Sequence, residues 1–408
     1  MKGLVIIMSK KVIEKKDWVS NFNLVGRPVI NDYTFKIDER SDKSNWVYNA
    51  LNLGIDCGEA HGTVYAECMS GYSEDGENKI YAHGKDENGN DDFKKKIEVS
   101  WEDRFNDDVL EEIGDLAFFV VGLEKTSEGK TFYKKFLSAY DAIAYIKEHL
   151  KEDMVVNVRG NLKYSSYNDT VQVRKNITSI VLSTKADDPS KYKATFTQSI
   201  LIDKDSASLK NIDKDKGVMF VDARVLDYLK EYNGIKLVNA KGEAKGAQFP
   251  YKKQFEFELN LENEKQCKTI YEKLFKVKKN VNQITFEGEF IEGGAVVTAT
   301  LEDLPQDIRD LVDMDVYTEE EACAKCTANG GRERRMVLKK PMIKLVGDDK
   351  TPVIQKFDER FTEDDLVLDY LYNNNGTVES PIADDDDELP FDTEESSSDN
   401  SMDWLNNL

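Results

Sequence analysis

Twice along this chain the same order of elements can be read from residue period alone. Three runs rich in β-branched and aromatic residues come first, broken by Gly, Asn and Asp. One run of helical period follows, and then an alternating run interrupted by a glycine. The first copy begins with "WVSNFNLVGRPVI" and "YTFKI", then "NWVYNALNLGI" and "GTVYAECMSGY". A polar excursion, "SEDGENKIYAHGKDENGNDDFKKK", reads as an inserted loop or hairpin at about 73–96, and "LAFFVVGLE" as a buried strand. "SAYDAIAYIKEHL" (138–150) carries Tyr140, Ile143, Ala144, Ile146 and Leu150 at helical spacing, with Ser138 and Asp141 as an imperfect capping box. In "MVVNVRGNLKYSSYNDTVQVRKNITSIVLS" Val156 and Val158 alternate with Asn157 and Arg159, and Val171 and Val173 with Gln172 and Arg174, around a polar turn.

After "KADDPSK" (185–191), which has the composition of a linker, the order returns. "KATFTQSILID", "KGVMFVDARVLDYL" and "YKKQFEFELNL" read as strands, and "ENEKQCKTIYEKLFK" as a helix. "NQITFEGEFIEGGAVVTATLE" reads as a hairpin turning at Gly293-Gly294. "NVRGNL" and "TFEGEF" occupy equivalent places after their helices, so Gly160 corresponds to Gly288, a glycine placed as a bulge or sharp coil would place it. Strands, one helix and a closing hairpin form the layout of the OB-fold, a small Greek-key barrel. The expected fold is therefore mostly β: two OB-like barrels and a disordered acidic C-terminal tail.

The expected domains are a mobile N-terminal extension (1–10), a first barrel (11–184), a linker (185–191), and a second barrel (192–347) with a helical insertion at about 303–328. "GGRERRMVLKKPMIKLV" adds a basic strand, and the tail runs over 361–408. A length of 408 residues and 40% hydrophobic content suit two domains with sizeable cores. The formal charge is −22, and the last 48 residues hold 15 acidic and no basic side chains, which leaves −7 for the rest. Such asymmetry marks an interaction tail. Five scattered cysteines fit a reducing compartment. "MKGLVIIM" is too short for a signal-peptide core, and no run approaches the roughly 20 apolar residues of a membrane span. A soluble cytoplasmic protein is expected, in the bacterial host cytoplasm if phage-encoded.

Catalytic patterns are missing from the sequence. His61, His83 and His149 pair with no nucleophile motif, and there is no P-loop or dinucleotide fingerprint. Cys323 and Cys326 have a metal-like spacing, but a structural zinc needs four ligands and no second pair or later histidine exists. No enzyme activity, metal or cofactor is expected. What remains is cationic groups interleaved with rings, the combination that single-stranded nucleic acid needs for phosphates and bases. Trp46, Tyr48 and Tyr65 lie on candidate strands two and three of the first barrel, and Arg159, Lys163, Tyr164, Tyr167, Arg174 and Lys175 surround its closing hairpin. In the second barrel the candidates are Tyr251, Lys252, Lys253, Arg332, Arg334, Arg335, Lys339 and Lys340. The plainer reading of each is a core ring or a solvated cation.

Near the C-terminus, Asp384, Asp385, Asp386, Asp387 and Glu388 lead into Leu389, Pro390 and Phe391. This "DDDDELPF" resembles the C-terminal tip of bacterial single-stranded DNA-binding proteins, where an acid run precedes Ile-Pro-Phe. Tailed-phage single-stranded DNA-binding proteins similarly look like OB barrels with acidic tails. The resemblance implies that the tip recruits replication and repair proteins. In the family the final phenylalanine carboxylate is gripped by partners; here 17 residues follow Phe391. The chain ends in "SMDWLNNL", where Met402, Trp404 and Leu405 offer a second anchor. The expected function is non-sequence-specific binding of single-stranded DNA in replication, recombination or repair. The alternatives are a phage structural or assembly protein whose barrels bind protein, and an RNA-binding protein. Oligomeric state is not legible.

Overall fold

The computed structural model describes residues 13–366 except 168–169, 185–187, 215, 233–234, 238–243, 294–303, 305, 315, 320–321, 324–333 and 348–349. The chain is mostly β. β1 (Ser20–Val29), β2 (Phe35–Arg40), β3 (Trp46–Asp56) and β4 (Thr63–Ser73) open the first half. An insertion follows: the hairpin β5 (Lys79–Lys85) and β6 (Asp91–Ser100), α1 (Asp107–Glu112), and the hairpin β7 (Phe119–Lys125) and β8 (Thr131–Phe136). The insertion is thus longer than the expected loop at 73–96. Its first hairpin has a small core of its own, Ile80, Val99, Ile113 and Phe118. Then come α2 (Ala139–His149), β9 (Val156–Tyr167) and β10 (Thr170–Leu182).

Five of these strands close on themselves. β1 pairs with β3, β3 with β4, β4 with β10, β10 with β9, and β9 with β1. All these pairings are antiparallel except β4 with β10, which is parallel and registered only at Glu67 opposite Asn176. α2 packs Ala142, Ile143 and Ile146 into the barrel core. Burial of each isoleucine is worth about 1.5–3 kcal/mol. Ser138 caps α2 by accepting from the Tyr140 amide at 3.2 Å, while Asp141 is drawn away to Arg104 at 2.8 Å instead of completing a capping box.

The second half repeats the cycle. β11 (Lys193–Ile202), β12 (Ala207–Asp213), β13 (Val218–Leu229), a minimal hairpin of β14 (Glu231–Tyr232) and β15 (Ile235–Lys236), and β16 (Ala247–Glu258) precede α3 (Glu264–Ile270). β17 (Val281–Glu292), α4 (Gln306–Asp313) and β18 (Arg334–Pro341) follow. β11 pairs with β13, β13 with β16, β16 with β18, β18 with β17, and β17 with β11. Again the single parallel pairing joins the third strand to the last, and β12 flanks β13 as β2 flanks β3. The expected hairpin turn at Gly293-Gly294 runs into residues outside those described. Among the described residues the closing place is taken by β18, the basic strand.

The two copies meet through their first strands. β1 and β11 are antiparallel neighbours, with Phe22 opposite Phe196. Across their other edges Phe22 faces Gly160 and Phe196 faces Gly288. A Cβ on Gly160 would lie 1.9 Å from the Asn176 carbonyl oxygen, and one on Gly288 2.3 Å from the Phe196 ring. The repeated glycine is therefore a close-approach position, and one hydrophobic core runs through both halves. The fold also continues past the expected end at 347. β19 (Ile343–Val346) and β20 (Thr351–Ile354) form a hairpin, and β21 (Lys356–Phe361) pairs with β17. Phe361 and Leu366 are buried with Ile13, Leu201 and Leu226, where the sequence suggested tail from 361. No helix among the described residues is long and apolar enough to cross a membrane.

Candidate nucleic-acid interface

Alternation along β3 and β4 sorts their residues onto two faces. Val47, Leu51 and Leu53 on β3 and Val64, Ala66 and Cys68 on β4 are buried in the barrel. The residues between them point outward, and cross-strand partners share a face. Reading along the pair gives Trp46 beside Ser73, Tyr48 beside Gly71, Ala50 beside Met69, Asn52 beside Glu67, and Gly54 beside Tyr65. Successive rows are roughly 7 Å apart at ordinary strand rise. The three rings chosen from sequence therefore lie on one face, joined by Met69, which is 49% exposed. The small partners Gly71, Ala50 and Gly54 leave room for them. The Tyr65 ring lies across Gly54, where a Cβ would sit 3.2 Å from it. The Tyr48 phenol is held above its ordinary pKa, first by burial and then by Glu39 and Asp42, so it stays neutral.

Cations border this face. Lys36 is exposed on β2 opposite Ala50. Arg174 is exposed on β10, on the Asn176 face and 3.8 Å from Glu67. Arg159 and Lys163 point outward from β9, Arg159 against Asn157 at 3.3 Å and Lys163 3.9 Å from Asp227. Carboxylates are interspersed: Glu39 opposite Tyr48 and Glu67 opposite Asn52. The face is therefore aromatic with mixed charge, not a continuous basic groove.

Several residues expected to touch nucleic acid do other work. Tyr164 is 4% exposed; its hydroxyl donates to Gln198 Oε1 at 2.9 Å and its amide to Asp227 at 2.8 Å. It links the two barrels and cannot stack on a base, because its β9 parity turns it inward. Lys175 is also buried, ion-paired with Glu292 of β17, with its Nζ 4.6 Å from the centre of the Phe290 ring. Lys253 sits at the same joint, its pKa lowered first by burial and then by Lys175. Tyr251 is 1% exposed and packs edge-on against Phe249 at 4.8 Å. Lys252 and Arg334 are exposed.

The other cations of β18 meet acids on both neighbouring strands. Arg335 bonds Glu256 at 2.7 Å, Lys339 reaches Glu258 at 2.6 Å and Glu289 at 3.3 Å, and Lys340 reaches Glu287 at 2.9 Å. The sequence showed a cationic strand; the register shows cross-strand ion pairs. Arg332, Cys326 and every named tail residue (Asp384, Asp385, Asp386, Asp387, Glu388, Leu389, Pro390, Phe391 and Trp404) lie outside the described residues, as does the side chain of Tyr167. Among the described residues no cluster of three or more His, Cys, Asp or Glu side chains is placed to hold a metal.

Sequence reading missed Lys36 and Met69. Both occupy outward positions on strands already recognised, so alternation could have found them. It also missed Trp101 and its surroundings. Trp101 packs with Tyr72 at 5.2 Å and Tyr140 at 5.7 Å, and the Arg104 guanidinium lies 4.2 Å from its ring centre.

A YorF family model matches residues 77–284, half of the chain. The chain belongs to the YorF family. The YorF match begins just before β5 and runs through the insertion, the closing strands of the first cycle and the second cycle as far as the start of β17. The aromatic face on β3 and β4 lies before it. No curated protein matches the chain.

Proposed function

We propose that this chain binds single-stranded nucleic acid, DNA foremost, without sequence specificity, along the outer face of β3 and β4. The supporting observation is the row Trp46, Tyr48, Met69 and Tyr65 on one face of two adjacent strands. Both halves read as OB-folds: β1, β3, β4, α2, β9 and β10, then β11, β13, β16, α3, β17 and β18. OB barrels bind oligonucleotides on the face of strands two and three, here β3 and β4. Trp46 and Tyr48 stand one row, about 7 Å, apart and Tyr65 three rows, about 20 Å, further on, so the first two suit neighbouring bases of an extended strand and Tyr65 a later one, each stack worth about 1–3 kcal/mol. On the corresponding face of the second barrel Phe220 and Tyr228 stand four rows apart with Asp222, Arg224 and Lys252 between them, whereas the first has two rings in successive rows. We therefore assign strand binding to the first barrel, and to the second the role of a rigid support. No turnover chemistry enters this reading.

Two exposed cations border the first face, Lys36 and Arg174, and Arg159 and Lys163 extend the charge one strand further, on β9. If each of the four neutralises one phosphate, log K falls against log salt with a slope of about −3. Fluorescence titration of the full chain with a dT oligonucleotide should show that slope. Tyr48→Ala and Tyr65→Ala should each weaken binding by about fivefold to 150-fold at unchanged melting temperature. No binding at low salt would end this reading in favour of a protein-binding assembly component, and a stronger RNA competitor would reassign the ligand.

From its sequence resemblance, the acidic tail is assigned to recruiting replication, recombination or repair proteins in the bacterial cytoplasm. Phe391 would fill an apolar pocket and the acids would meet a basic rim. Truncation after Pro381 should abolish capture of such partners, and Phe391→Ala should do the same. Capture that depends only on Trp404 would move the anchor to the chain end.

A further inference from the structure

β4 and β10 run together only at Glu67 and Asn176. From Ser179 onward β10 pairs with β7 instead, Ser179 opposite Val120. The two strands therefore fork, and the insertion fills the fork incompletely. A cavity of about 250 Å³ remains. Met69, the central residue of the aromatic face, forms part of its lining, together with Ser70, Trp101, Leu116, Phe118 and Asn176.

We infer that this cavity takes one base of the bound strand, turned out of the run that stacks along β3 and β4. The inference rests on the function proposed above and adds a second, recessed subsite to it. Three observations carry it. First, the cavity sets the rings of Trp101, Phe118 and Phe119 beside polar groups, among them Asn78, Lys79, Asn176 and Thr178, which suits a flat ring with a polar edge. Second, the Asn176 amide has no hydrogen bond to another described side chain or backbone group, while the Ser70 hydroxyl is satisfied by Ser138 at 3.2 Å. An inserted aliphatic side chain would leave the amide unanswered, whereas a base edge supplies the partner. An amide offers both donors and an acceptor, so any of the four bases can be met.

Third, the aromatic wall is already rigid. Trp101 is held by Tyr72 and Tyr140 and covered by Arg104. Arg104 is in turn fixed by Asp141 at 2.8 Å and by the Trp101 carbonyl at 2.6 Å. A wall ordered in advance loses little entropy when a ring arrives. The position also fits the strand's path, since Met69 belongs to both face and cavity.

The test uses the full chain and an oligonucleotide containing 5-iodo-deoxyuridine, irradiated in the complex, with the crosslinked peptides mapped. Crosslinks are expected in two sets, one at Trp46, Tyr48 or Tyr65 and one at Trp101 or Phe118. Asn176→Ala should weaken dT binding by about twofold to twelvefold, the loss of one hydrogen bond. Crosslinks confined to the β3–β4 set, or wild-type affinity of Asn176→Ala, would overturn the pocket while leaving the face intact. Failure of the unmodified chain to bind the oligonucleotide at all would remove the function and the pocket together.

Discussion

Replacing Lys175 by methionine separates a joint between barrels from a contact to phosphate. Lys175 and Glu292 are 8% and 5% exposed, and they come from different halves of the chain. Methionine keeps the length and apolar stem of lysine but removes its charge. Glu292 is then left buried without a partner, which costs on the order of 3–5 kcal/mol. Loss of the cation against Phe290 adds about 0.5–2 kcal/mol. Lys253 responds in the opposite sense: its pKa is lowered partly by the Lys175 charge, so it regains proton affinity when that charge goes. Urea denaturation should show the loss, and Lys175→Met with Glu292→Leu should recover most of it, because an apolar pair of similar volume avoids desolvating two ions. Fluorescence titration of the folded variant should give unchanged affinity for a dT oligonucleotide. If stability is kept while affinity drops and the salt slope shrinks by about 0.7, Lys175 meets a phosphate and the joint assignment is wrong.

Two further outcomes follow from geometry. Gly288→Ala places a Cβ 2.3 Å from the Phe196 ring and 2.5 Å from the Val337 carbonyl oxygen, so it should lower stability by about 1–3 kcal/mol in a denaturation curve. A neutral result there would mean that β17 and β18 can separate at no cost. In the insertion, the Asp91 carboxyl is held below its ordinary pKa, first by the Leu116 amide at 2.9 Å and then by His83 at 2.6 Å. A depressed folded-state pKa gives stability that is present above the unfolded value and lost as pH falls through the folded one. Protection of the Gly114 and Leu116 amides against exchange, measured relative to the intrinsic rate at each pH, should therefore fall below about pH 4, and Asp91→Asn should remove that dependence. A pH-independent protection factor in the parent protein would show that the carboxyl does not hold this loop.

Local pattern determined much of this protein. Period two along Trp46–Asp56 and Val156–Tyr167, and helical period over 139–149, placed elements to within a residue or two, because side-chain alternation follows backbone geometry. The equivalence of Gly160 and Gly288 was also legible, and the structure shows that both approach a phenylalanine across the first strand pair. Register and partnership were not legible. Tyr65 and Tyr164 look alike in sequence, each a ring on an alternating strand. Parity about the barrel puts one outward on Gly54 and the other inward against Gln198. Arg335, Lys339 and Lys340 read as a bare basic stripe until β16 and β17 bring Glu256, Glu258, Glu287 and Glu289 alongside. Those acids lie about 50 to 80 residues away along the chain, and only closure of the second ring sets them opposite the cations. The charge of a side chain is a local property; whether that charge remains available to a ligand depends on which strand becomes its neighbour.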